Sequence, residues 1–341
     1  MKIKLIGILI CIMLTTTFIT VATNTNNIQL SKPKNNEIMI SSFDDDVPVW
    51  NKGDKWAYKI HDINLDVDEN KTIHVHLEIG ELTFEVNEVN SDYDVQFDAG
   101  LEGDYRIIIE EENGTIDVQG KLVGTQIAGN MLFTKDNLGI KKIDYKISGI
   151  LTFKPNELPE DWNIPNILII FPIPAQITTT LDFGNPYTFL DFPMNDSKFW
   201  GLPETNFTVN GQIQSIWLTI LNIINDIASA FNYELLPEEL AALLPVIDIK
   251  EALETRGIGN IFNISEVPAL FACFQKNDVN VTAGVFEAYN ISVAPINLTQ
   301  ALGRIYYSPE VKNIIKISGE LIDLLPFITN LEMELIDYEL T

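Results

Sequence analysis

Disulfide chemistry is all but absent from this chain. Its 341 residues hold two cysteines, Cys11 and Cys273. Cys11 lies inside an N-terminal apolar run that reads as a cleaved leader, which leaves Cys273 alone and no intrachain bridge. A fold of this size must then be held by its core. Imidazoles are as scarce, with only His61, His74 and His76. Basic residues are few: 22 Lys and Arg stand against 48 Asp and Glu, a formal charge of −26. Such a surface repels nucleic acid and anionic headgroups. No apolar stretch after the leader approaches the ~18 residues that a membrane-spanning helix needs. Gly-x-Ser-x-Gly, His-Glu-x-x-His and phosphate-cradling Gly-rich loops are missing too, so the expectation is a non-enzymatic protein without a cofactor.

What is present starts with Lys2 and Lys4 ahead of Leu5–Leu14, followed by small residues around Ala22. That is the layout of a secretory signal peptide over 1–23. Cys11 sits within the apolar run and not just after it, so a lipid anchor is not expected. Residues 24–47 are polar and aperiodic and read as a flexible leader. Eight Asn-x-Ser/Thr sequons begin at Asn70, Asn113, Asn195, Asn206, Asn263, Asn280, Asn290 and Asn297. Their number suits a glycosylated exterior protein. Export with N-glycosylation points to an archaeal or eukaryotic surface, and the short leader and acidic composition lean to the archaeal one.

From 48 to 154 the apolar period is two. Ile73, Val75, Leu77 and Ile79 alternate with Thr72, His74, His76 and Glu78, and Tyr93, Val95 and Phe97 alternate with aspartates. Glycines punctuate this region at turn spacing, so it reads as an antiparallel meander. Prolines crowd 155–175, which reads as a linker or a long loop. A second β region fills 176–341. Within it, Ile213, Ile216, Trp217, Ile220, Ile224, Ile227 and Phe231 recur at three- and four-residue steps. That spacing predicts one long apolar helix in an insertion over about 213–256, with a short second helix from Pro237-Glu238-Glu239. The expected class is mainly β: curved antiparallel sheet, half-barrel-like, enclosing the long helix and the short one.

Candidate chemistry is thin. His74 and His76 leave one face of a strand and could begin a metal site, and Asp92 and Asp94 alternate as oxygen ligands do. No third ligand is fixed by spacing, and the glycine and closing glutamate of a calcium loop are missing. Cys273 lies in the apolar stretch Leu270–Phe274, where a buried thiol is inert. The long helix offers Trp217, Ile220, Leu221, Ile224 and Phe231 as the lining of a pocket for an apolar ligand.

Three short stretches carry a resemblance. Gly53-Asp54-Lys55-Trp56-Ala57-Tyr58 opens the ordered region, and Ala283-Gly284-Val285-Phe286 and Tyr306-Tyr307-Ser308-Pro309-Glu310 lie near its end. Together they resemble exported β-rich proteins of the TapB-like and related families, although Lys312-Asn313 stands where such proteins tend to place a glycine. The resemblance implies a half-barrel of the lipoprotein-carrier type (LolA/LolB-like), with a greasy concavity and no catalytic residue. The function expected is a secreted or cell-surface binding module for an apolar or amphiphilic, lipid-like ligand, open to other surface proteins and not to nucleic acid. A structural cell-surface glycoprotein without ligand is the alternative, and a secreted carbohydrate-active enzyme a more distant one.

Overall fold

A computed structural model describes residues 46–60, 63–68, 71–111, 114–152, 154–157, 172–201, 205–215, 246–254, 260–263, 269–295, 303–319 and 332–341, with Thr219, Asn222, Ile223, Asp226, Ser229 and Ala230 between them. The strands, in chain order, are β1 (Lys55–Ile60), β2 (Ile63–Asp68), β3 (Lys71–Ile79), β4 (Glu81–Val89), β5 (Tyr93–Glu111), β6 (Gly114–Phe133), β7 (Ile140–Leu151), β8 (Lys154–Glu157) and β9 (Ile173–Tyr187). They continue with β10 (Phe199–Gly201), β11 (Asn206–Ser215), β12 (Val246–Asp248), β13 (Ile261–Asn263), β14 (Ala269–Val281), β15 (Gly284–Pro295), β16 (Gly303–Ser308), β17 (Asn313–Gly319) and β18 (Met333–Glu339). One short helix, α1 (Ile249–Glu254), follows β12.

All eighteen strands belong to one antiparallel sheet, so both β regions of the sequence share it. Its main ladder runs β10–β14–β15–β16–β17–β18–β1–β4–β5–β6–β7–β9–β11. Laid flat at ~4.8 Å per strand, its twelve steps would separate β10 from β11 by roughly 58 Å. Yet β11 begins five residues after β10 ends, a reach of at most ~18 Å. The sheet must therefore curl until its two ends approach each other. β5 and β6 are long enough to extend past this curl, where the far half of β5 pairs with β3 and that of β6 with β8.

Small residues on the inner face make the curl fit. One cross-strand row reads Trp56, Phe84, Phe97, Gly129, Tyr145, Thr179, Gly211. A Cβ at Gly129 would run into the carbonyl oxygen of Asp144, and one at Gly211 into that of Thr178. Large apolar neighbours close over the gaps, Phe97 beside Gly129 and the buried Ile249 of α1 beside Gly211.

The long apolar helix is not found. Among the described residues no helix reaches seven residues. Ile213 is buried on β11 opposite Ile177, continuing the period-two set Phe207, Val209, Gly211, and Val246–Asp248 return as β12. The helical spacing began on a strand residue because the last inward position of β11 happens to stand three residues before Ile216. Thr219, Asn222, Ile223, Asp226, Ser229 and Ala230 are helical but stand singly or in pairs between undescribed positions. The expected pocket residues Trp217, Ile220, Leu221, Ile224 and Phe231 and the expected second helix at Pro237 lie outside the described residues, as do 1–45. Two prolines of the 155–175 stretch do lie in strands, Pro155 in edge strand β8 and Pro174 at the start of β9, positions where a missing N–H is tolerated. No helix of the described residues is long and apolar enough to cross a membrane.

Candidate functional site

The inner face of β1 contributes to a buried apolar cluster that includes Trp50, Val86, Tyr93 and Val95. Trp56 and Tyr58, two apart on a strand, point to the same side and are both almost fully buried. Trp50 joins them from the turn before β1, 5.2 Å from Trp56, 5.2 Å from Tyr93 and 5.3 Å from Phe133 between ring centres. The turn itself is fixed by Gly53 at φ 93° and by Asp54, whose carboxylate accepts from the Asn51 backbone at 2.8 Å. The same buried carboxylate accepts from the Thr341 backbone at 2.8 Å and its hydroxyl at 3.1 Å. The start and the end of the sheet are thereby tied together.

A second tie joins the β1 region to the junction of β16 and β17. Trp50 Nε1 donates to the Lys312 carbonyl at 3.0 Å, Trp56 Nε1 to that of Val311 at 2.9 Å, and Tyr58 Oη to that of Ile314 at 2.8 Å. Val311 and Lys312 lie in the turn between β16 and β17, where Lys312 takes φ 61°, and Ile314 is the second residue of β17. Buried aromatic donors need such partners, and here the acceptors lie more than 250 residues further along the chain. Burial also drives the Tyr58 phenol well above its ordinary value, so the hydroxyl remains a donor.

Between these walls is an apolar chamber of about 200 Å³. Trp50, Trp56, Tyr58, Phe84, Val95 and Met131 line it together with Ile314, Ile317 and Met333 of β17 and β18. Phe189 and Leu190 close it from a strap between β9 and β10. Lys198 Nζ holds that strap by donating to the carbonyls of Asp191 at 2.7 Å and Pro193 at 2.8 Å, and Trp200 Nε1 donates to Phe189 O at 3.1 Å. Tyr289 Oη reaches Met194 O at 3.1 Å. None of the described residues that line the chamber is charged.

The other sequence candidates are scattered. His74 and His76 sit on β3 opposite Arg106 and Asp104 of β5. His76 Nε2 lies 3.6 Å from Glu78. Asp104 is ten residues along the strand from Asp94, roughly 33 Å, so histidines and aspartates cannot share an ion. Asp92 pairs with Lys141 Nζ at 2.9 Å, which holds its carboxyl below the usual range, and Asp94 accepts from Asn130 at 3.0 Å. Among the described residues no group of three metal-ligating side chains forms. Cys273 is buried, and that burial, aided by Asp196, pushes its thiol up to about 12.

Of the sequon asparagines, Asn206 and Asn280 are exposed and Asn195 half-buried. Asn290 is half-buried in the middle of β15, its Oδ1 buried without a partner. Asn263 is in β13, and Asn70, Asn113 and Asn297 lie outside the described residues. No model of a protein family, no curated protein and no solved structure matches the chain.

Sequence reasoning looked for the pocket on a helix and missed the one at β1. The available signal was Trp50, Trp56 and Tyr58 within nine residues, three large aromatics with polar tips that a core must satisfy.

Proposed function

We propose that the protein is an exported, cell-surface or secreted binding module for an apolar or amphiphilic ligand, with the chamber against β1 as its site. The observation that carries this reading is the chamber itself, about 200 Å³ of space walled by aromatic and aliphatic side chains. Protein interiors close-pack and leave few voids larger than a water molecule. An apolar cavity of this kind stays dry and favours hydrocarbon. The N-terminal signal layout, the acidic surface and the sequons support the extracytoplasmic setting.

Native mass spectrometry of the full chain, produced with its leader in an exporting, N-glycosylating host and followed by organic extraction, tests it. A stoichiometric apolar molecule is expected. A mass excess made up of glycans alone, with nothing extractable, would remove the ligand and leave a structural surface protein.

A further inference from the structure

The polar groups around the chamber set the chemistry of what it takes. Its three strongest donors, the indole N–H groups of Trp50 and Trp56 and the hydroxyl of Tyr58, are all committed to the carbonyls of 311–314. Among the described residues of the lining, Asn313 alone carries a side-chain amide. Its Oδ1 accepts from the backbone N–H of Ile314 at 2.8 Å. That contact uses the acceptor end and leaves the Nδ2 donor without a partner among the described residues. With no charged residue among those described in the wall, an ionised group entering there would be desolvated and uncompensated.

Resting on the reading of the chamber as a ligand site, we infer that it takes a neutral hydrocarbon bearing a single oxygen acceptor, an alcohol or ether, whose oxygen is held by Asn313 Nδ2. Fatty-acid carboxylates and alkyl ammonium ions are refused. The volume sets the length of the buried segment. A cavity of ~150 Å³ admits benzene, so 200 Å³ accommodates a segment of about eight carbons. A longer chain would leave its remainder outside. Asn313 is in this sense a specificity-determining residue, because a site built to donate a hydrogen bond discriminates more sharply than an apolar wall alone.

The test titrates the full chain with 1-octanol, octanoate, octylammonium and benzene, followed by calorimetry and by tryptophan fluorescence, for which Trp50 and Trp56 are built-in reporters. Octanol is expected to bind at least tenfold tighter than either ion. Asn313→Asp keeps the size and an acceptor for Ile314 N–H but removes the donor, and is expected to weaken octanol about tenfold while benzene is unchanged. Asn313→Leu should do the same, and thermal unfolding of both variants checks the fold. Octanoate binding as tightly as octanol, or octanol affinity unmoved by both variants while benzene still binds, would overturn this inference and spare the apolar-site reading. Failure of benzene and octanol alike would overturn both.

Discussion

Each of the three aromatic donors of the β1 region satisfies a backbone carbonyl at the junction of β16 and β17. Trp56→Phe keeps most of the ring and deletes the bond to Val311 O, 2.9 Å in the native protein. An orphaned buried acceptor costs about 1–3 kcal/mol, and the smaller ring adds a packing loss. Urea unfolding should therefore show a destabilisation of about 2 kcal/mol or more. A variant as stable as the native chain would mean the bond contributes nothing. The Asp92–Lys141 pair acts at the same scale with a definite pH signature. Lys141 lowers the Asp92 carboxyl in the folded state, so its stabilisation is present above the unfolded value of ~3.9 and is lost as pH falls through the folded value. Lys141→Met should reduce stability at neutral pH, and the difference from the native chain should close below about pH 4. A gap independent of pH would exclude the ion pair as its cause.

At the scale of elements, the glycines of the inner face separate close approach from mere turn preference. Gly129→Ala puts a methyl group into the Asp144 carbonyl and against Phe97, and should cost about 1–3 kcal/mol or more by overpacking. Gly100→Ala meets nothing within 4 Å and should move stability by no more than ~0.5 kcal/mol. Equal effects in thermal unfolding would deny the glycine row its role in the curl. This row also shows what the sequence makes legible. The alternation of Tyr93, Val95 and Phe97 fixes which side of β5 is buried, because period two leaves no other choice. The pairing of β1 with both β18 and β4 has no local signature, since it joins Lys55 to Glu339 and to Glu85. The helix expected from Ile213 fails for a related reason: one residue served both periods, and only its partner Ile177 on β9 decides between them. The site was legible only as composition, in three clustered aromatics, because the carbonyls they need come from the other end of the chain.

Among the described residues every strand belongs to one sheet, in which β1 and β18, the first and last in chain order, are neighbours. Its outer surface is where modification belongs. If the chain is glycosylated, Asn280, exposed on β14, should carry glycan, whereas Asn290, half-buried in mid-strand with its Oδ1 enclosed, should not. Glycopeptide mass spectrometry of the exported chain checks this, and occupancy at Asn290 with Asn280 bare would mean that the β14–β15 faces are turned the other way. The chamber is the interior counterpart of that surface. It is lined from β1, β4, β5 and β6 together with β17 and β18, which adjoin β1 in the sheet. Xenon enters dry apolar cavities and shuns hydrated ones, so a crystal of the unliganded protein under xenon pressure tests the central claim most directly. A xenon atom is expected between Trp50, Phe84, Met131 and Ile317. Ordered water there, or a void collapsed by side-chain repacking, would contradict it.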